Sequence, residues 1–425
     1  MLAAMFLRVP IGLAMFIAGG FGMVVLRSWS ALVGSLKSVA YDVFATDSLA
    51  VIPIFLLMGH FAAQAGMSAA LFRLAQALLG HRRGGLAIAT IGACAGFGAI
   101  CGSSIATAAT MGQVALPEMR RAGYAGSLST GTLAAGGTLG ILIPPSIVLV
   151  IYAILAEQNI AKLFVAAFLP GVLAALGYMT AIALVVRRTP GLAPTTPRAT
   201  GRELRRAILA VWPVLAIFAL VIGGMYGGLF TPTEGAAVGA FGTALLALRA
   251  GMRLGGFLEC LRRTAVATAM IFFIVLGAQL FNSFMAFTQI PQIAADAIAG
   301  SGLNAWVVLA LILLAYLVLG CLMDSLSMIL LTIPIFFPAI MKLDFGLPPE
   351  QVAIWFGILA LIVVEVGLIT PPVGMNLFVI NAMARDVPML DTYRGVLPFV
   401  VTDILRTIVL VVFPGITLIA LRLLE

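Results

Sequence analysis

Residues 136–146 read Gly-Gly-Thr-Leu-Gly-Ile-Leu-Ile-Pro-Pro-Ser, and residues 364–376 read Val-Glu-Val-Gly-Leu-Ile-Thr-Pro-Pro-Val-Gly-Met-Asn. Laying Pro371 over Pro144, an offset of 227 residues, puts Gly367 on Gly140. Both copies lie inside long apolar stretches. Proline has no amide hydrogen to continue a helix and its ring crowds the preceding turn. A Gly-x-x-x-Pro-Pro break therefore leaves backbone carbonyls without helical partners. In hydrocarbon such a break is tolerated only where the backbone faces protein, water or a bound ion. Two breaks in matching positions of two halves are the pattern expected around an intramembrane binding site.

Composition places the chain in a bilayer. Of its 425 residues, 62% are hydrophobic and 9% charged, with a mean hydropathy of +1.17. A soluble protein carries roughly a quarter charged residues. Apolar segments long enough to cross a membrane recur along the sequence. The expected class is an all-α polytopic membrane protein. The net charge of +8 belongs to topology and not to nucleic acid. Arginines gather at 82–83, 120–121, 187–206, 249–263 and 385–394, as cytoplasmic loops do. The four cysteines (Cys94, Cys101, Cys260, Cys321) have no paired spacing and read as small buried hydrophobes. The N-terminus lacks a basic stretch ahead of an apolar core, so residues 2–26 read as a first span and not as a cleaved signal.

Residues 27–47 are amphipathic and read as an interfacial helix, 49–65 as a span, and 69–79 as a surface-lying helix. Residues 84–116 are two short apolar segments around Gly102-Ser103-Ser104, which predicts a re-entrant hairpin with its tip near mid-membrane. The first broken span covers 127–155, and 163–186 is a further span. The stretch 187–206, rich in Arg, Pro and Thr, is a linker, and 207–229 an extra span. The order of the first half then returns: spans at 234–248 and 264–287, a short helix at 288–299, a second hairpin at 303–340 with its tip at Cys321 to Ser325, a broken span at 352–385 and a last span at 396–424. Two repeats are expected, 1–186 and 230–425. The extra span inverts the second relative to the first. With the linker and N-terminus in the cytoplasm, 18 Lys/Arg fall inside and five outside (Arg27, Lys37, Lys162, Lys342, Arg422), with Arg406 inside the last span unassigned. Inverted repeats with broken helices meeting at mid-membrane are secondary-transporter architecture.

The first tip should face the break at Gly137, Gly140 and Ile143. The second, with Asp324 and Ser325, should face Gly367, Thr370 and Gly374. Serine hydroxyls and freed carbonyls are hard oxygen ligands suited to an alkali cation. A half-helix starting at Ser146 or Val373 offers free amides to an anion. Thr107 and Asn376 point from the half-helices toward the expected cavity and are candidate substrate contacts with Ser146. Asp324 is an intramembrane acid, functional by default, or a cap on the tip amides. Glu365 is expected to fix its break by hydrogen bonding. The two histidines, His60 and His81, lie in no metal-ligand spacing, so no transition metal is expected. No P-loop and no Gly-x-Ser-x-Gly elbow occurs, and no enzyme activity or cofactor is expected.

At these residues the chain resembles the large membrane subunit of the tripartite ATP-independent periplasmic (TRAP) transporters. The matching stretches are 52–59 (Ile-Pro-Ile-Phe-Leu-Leu-Met-Gly), 102–109 (Gly-Ser-Ser-Ile-Ala-Thr-Ala-Ala), 143–146, 230–234 (Phe-Thr-Pro-Thr-Glu) and 365–378. The resemblance implies an elevator-type mechanism and a fold like that of the ion transporter superfamily, in which a mobile domain carries both hairpins and both broken helices. It implies Na⁺ as coupling ion, bound by Ser103, Ser104, Gly137 and Gly140 and by Asp324, Gly367 and Thr370. It also implies a small four-span membrane subunit, a periplasmic substrate-binding protein, an organic-acid substrate such as a C4-dicarboxylate or sugar acid, and a bacterial inner-membrane location. The second tip reads Asp324-Ser325 where many members have Pro after the acid. A stand-alone divalent-anion/Na⁺ symporter is the nearest rival. An intramembrane aspartyl protease is a distant one, since it needs Asp324 and Glu365 as a facing pair.

Overall fold

The computed structural model describes residues 9–300 and 302–421. Helices make up nearly all of it, and no strand occurs among the described residues. The first elements are α1 (Ile11–Leu26), α2 (Trp29–Ala45), α3 (Val51–Gln64) and α4 (Met67–Leu79). The expected first span begins in residues 2–8, which lie outside the described residues. Helix α1 starts after Pro10, its N-cap, whose missing N–H suits a helix start.

The predicted first hairpin is α5 (Gly85–Cys101) and α6 (Ser104–Arg121). Gly102 turns the chain at φ +64°, and Ser103 accepts from Ala106 N to cap α6. The first broken helix is α7 (Gly126–Leu142) and α8 (Ile147–Leu155), bent by 44° at the Pro-Pro pair. Then come α9 (Ile160–Arg188), α10 (Gly201–Tyr226), α11 (Pro232–Arg249), α12 (Leu254–Thr288) and α13 (Ile290–Gly300). The linker without α-helix is narrower than composition suggests, residues 189–200. The chain re-enters helix through a reciprocal Thr200–Glu203 capping box. The same device, Thr231 with Glu234, starts α11.

The second hairpin is α14 (Ala305–Gly320) and α15 (Ser325–Ile340). The second broken helix is α16 (Pro349–Leu368) and α17 (Met375–Met383). The chain closes with α18 (Met389–Val412) and α19 (Pro414–Leu418). The expected last span, 396–424, is thus interrupted at Phe413-Pro414, and its residues 422–424 lie outside the described residues. Among the described residues five helices are long and apolar enough to cross a membrane, or up to seven when bent pairs count as single spans.

The core lies around the broken helices. Helix α16 is 94% buried over its most apolar window, against 33% for α10, α12 and α18. The exposed sides of those three carry Trp212, Leu215, Met270, Leu405 and Ile408, the outward apolar surface of a bilayer protein. Helix α1 lies along α12 and α3 along α11. Helices α7, α8 and α16 therefore lie in the interior, whereas α14 of the second hairpin exposes Leu311, Leu314 and Val318.

Candidate functional site

Both breaks are built alike. Pro144-Pro145 and Pro371-Pro372 are each joined by a cis peptide bond. In α7, the amides that would pair with the Gly140 and Ile141 carbonyls belong to Pro144 and Pro145 and do not exist. Ile143 is extended as the C-cap, and Ser146 Oγ accepts from Leu149 N at 3.3 Å to start α8. In α16, Thr370 takes over part of that duty. Its amide donates to Gly367 O at 3.0 Å and its hydroxyl to Val366 O at 2.6 Å. Gly374, at φ +65°, then turns the chain into α17.

Each tip touches its own break. A Cβ on Gly102 would stand 3.1 Å from Pro145 O. At the other end, Gly374 N donates to Cys321 O at 3.3 Å, and Cys321 Sγ lies 3.7 Å from Pro371 O. The hairpin arms approach the broken helices glycine against glycine. A Cβ on Gly98 would lie 2.6 Å from Gly140 Cα, and one on Gly367 would lie 2.6 Å from Gly320 Cα. A Cβ on Gly140 would also come within 2.7 Å of Ser103 O. The glycines thus let carbonyl-bearing backbone approach at distances no side chain would permit.

The tips also meet each other. Glu365 is 1% exposed and spans them. Ser104 Oγ donates to one carboxylate oxygen and Ser325 Oγ to the other, the latter at 2.6 Å. Beside this bridge is a cavity of about 190 Å³ whose lining includes Gly102, Ser103, Ser104, Asp324, Ser325 and Leu368. Asp324 is the N-cap of α15, its Oδ2 accepting from Ser327 N at 3.1 Å, and its side chain also borders the cavity. Both roles considered for it are therefore compatible. Among the described residues the hydrogen-bond partners of the Glu365 carboxyl group are the two serines, and that of Asp324 is the Ser327 amide.

The remaining expected residues lie behind the first tip. Asn376, fully buried, reaches across from α17 to α7, where its Nδ2 donates to Ala134 O at 3.3 Å. A Cβ on Gly137 would stand 3.1 Å from both Asn376 Nδ2 and Ser104 O. Asn376 Oδ1 is buried with no partner among the described residues. Thr107 is buried against Gly140. Thr107, Gly137, Gly140 and Asn376 therefore form one group. Ser146 is buried as a cap, and Gly367, Thr370 and Gly374 pack on the outer side of the second tip. None of these eight, nor Ile143, lines the cavity. No cluster of three His, Cys, Asp or Glu suited to a metal occurs among the described residues, and the four cysteines are free and buried.

One network went unread in the sequence. Tyr178 of α9 donates to Asp403 Oδ2 of α18 at 2.6 Å and lies 2.9 Å from Thr138 Oγ1 of α7. Asp403 pairs with Arg406 at 2.9 Å, both side chains at most 5% exposed. The i,i+3 spacing of Asp403 and Arg406 within an apolar span was the available signal. The Tyr178 and Thr138 contacts had none.

An all-helical membrane fold with two hairpins and two proline-broken helices converging on buried oxygens is secondary-transporter architecture. The sequence model of the family described as Tripartite ATP-independent periplasmic transporter, DctM component, matches residues 1–416. The chain is 40% identical over 390 residues to the C4-dicarboxylate TRAP transporter large permease protein DctM of Pseudomonas aeruginosa, covering 90% of this chain and 89% of that one. It is 32% identical to the sialic acid TRAP transporter permease protein SiaT of Haemophilus influenzae, covering 98% of this chain but 66% of that protein. In fold it is similar to the crystal structure of the Alcanivorax borkumensis YdaH transporter, with a TM-score of 0.63, 16% identity, and 95% and 97% of the two chains covered. The chain belongs to the DctM family and is a TRAP transporter large permease, a multi-pass membrane protein.

Proposed function

We propose that this chain imports a small organic anion, a carboxylate such as a C4-dicarboxylate or sugar acid, together with Na⁺. The observation that carries the reading is the meeting of both serine-bearing tips on Glu365 beside the cavity they share. The first Na⁺ site comprises Ser103, Ser104, Gly137, Gly140 and Ile143. The second comprises Asp324, Ser325, Gly367, Thr370 and Gly374. Hydroxyl and carbonyl oxygens are the hard ligands an alkali cation prefers. Thr107, Ser146 and Asn376 receive the anion. Asn376 Nδ2 has a second N–H beyond the one given to Ala134 O, and its Oδ1 has no partner among the described residues, so it offers polar capacity without a charge.

The hairpins and broken helices of the two inverted repeats, 1–186 and 230–425, move as an elevator in the inner membrane, with the N-terminus cytoplasmic. A periplasmic binding protein delivers the cargo, and a small four-span membrane subunit completes the complex. The longer SiaT relative, one third of which lies outside the match, supports a requirement for additional chain. The relatives' C4-dicarboxylate and sialic acid share a carboxylate.

The test is reconstitution into proteoliposomes with the neighbouring small subunit and binding protein, using labelled succinate and N-acetylneuraminate as probes. Uptake of one probe under an inward Na⁺ gradient, absent with K⁺ and absent without the binding protein, is expected. Uptake by this chain alone would contradict the three-part reading. Uptake indifferent to Na⁺ would contradict the coupling.

A further inference from the structure

We infer that Glu365 is the shared counter-charge of both hairpin tips and couples cation binding at one to cation binding at the other. The inference rests on the Na⁺ reading above and gives Glu365 a role that reading does not assign.

Ser104 and Ser325 are the first residues of α6 and α15, helices of 18 and 16 residues. The carboxylate therefore receives one hydroxyl from each hairpin and also faces two positive helix ends. A carboxylate has about four acceptor positions. Two hydroxyls occupy half of them, and no cationic side chain among the described residues is paired with it. The charged groups acting on Glu365 from neighbouring elements are Asp403 and Arg406 of α18, which oppose each other. Asp324, the N-cap of α15, accepts from the Ser327 amide. Glu365 is thus a buried carboxyl group whose described hydrogen-bond partners are two hydroxyls, beside a largely apolar cavity that residues of both tips border.

In a low-dielectric interior an unbalanced carboxylate is costly, and a cation placed nearby is correspondingly favoured. A cation arriving at either tip draws on the same charge and reorients the same two serines. Binding at one tip then alters the geometry of the other, and by linkage the effect is reciprocal.

The test is a Na⁺ titration of thermal unfolding on the full chain with its small subunit, choline chloride holding ionic strength constant, for wild type and Glu365→Gln. Glutamine keeps both serine contacts, accepting from one hydroxyl and donating to the other, and removes only the charge. Wild type should rise with a Hill coefficient below one, because the first cation neutralises the charge the second would use. Glu365→Gln should need at least about fivefold more Na⁺, the lower end of ordinary coupling, with a Hill coefficient of one. Glu365→Gln matching wild type in both would overturn this inference alone. A wild type that ignores Na⁺ would overturn it together with the Na⁺ reading. Should Glu365→Gln not fold, Ser104→Ala and Ser325→Ala provide the second arm. Their effects on the Na⁺ midpoint should be non-additive in the double variant, and strict additivity would overturn the inference.

Discussion

Thr138 and Glu365 occupy the same place in the two broken helices, two residues before matched glycines and six before matched Pro-Pro pairs once Pro371 is laid over Pro144. They face opposite tasks. Thr138 turns away from the hairpins, to Tyr178 and through it to the buried Asp403–Arg406 pair. Glu365 turns into the hairpins and holds Ser104 and Ser325. The surroundings differ as well. Residues 143–146 of the first break are all buried, whereas Thr370, Pro371 and Val373 of the second are half-buried and Pro372 is exposed. A repeated backbone device thus serves two ends. One copy is anchored to the flanking helices, and the other ties the two tips together.

That comparison is open to four breaks, beginning with the most severe. Asp403→Asn removes the partner of a buried guanidinium and should cost about 3–5 kcal/mol, read as a large fall in the thermal midpoint. Wild-type stability would show that Arg406 has another counter-charge. Gly140→Ala and Gly367→Ala should each cost about 1–3 kcal/mol, because the new methyl meets backbone and the hairpins must shift. Both should also lose the response to Na⁺; a loss confined to one would show that the two tip contacts are unequal. Thr138→Val should lower stability by about 1 kcal/mol for the lost hydrogen bond while leaving the Na⁺ midpoint unchanged. A shifted Na⁺ midpoint in Thr138→Val would erase the contrast with Glu365. Tyr393→Phe removes the hydroxyl that donates to Pro372 O at 2.7 Å. At this exposed contact the change in melting should stay within about 0.5 kcal/mol.

Much of this was legible because the signals are local. Pro-Pro pairs, the Gly-Ser tip and the Asp324 cap act over a few residues, and the breaks and tips fall where the spacing placed them. What was illegible is carried over distance. Glu365 and Ser104 are 261 residues apart, and nothing near Ser104 names its partner. The sequence correctly cast Glu365 as a hydrogen-bonding residue but assigned it to its own break. Helix α12 shows a different limit. An apolar window starts it at 264, yet it begins at Leu254 because Glu259 pairs with Arg262 and Arg263 on an exposed polar turn. That i,i+3 and i,i+4 spacing was a usable helix signal, hidden by the search for hydrophobicity alone.

The central claim is that oxygen atoms at the hairpin tips and helix breaks bind Na⁺. Thermal unfolding of the purified chain with its small subunit, compared in NaCl, KCl and choline chloride at equal ionic strength, tests it without any cargo. A ligand bound only by the folded state must raise the midpoint, by about 2.7 kcal/mol of stability at a hundredfold excess over Kd. A saturable rise with Na⁺ alone, lost in Ser103→Ala and in Asp324→Asn, is the predicted result. Equal midpoints in the three salts, or an undiminished Na⁺ response in both variants, would contradict it.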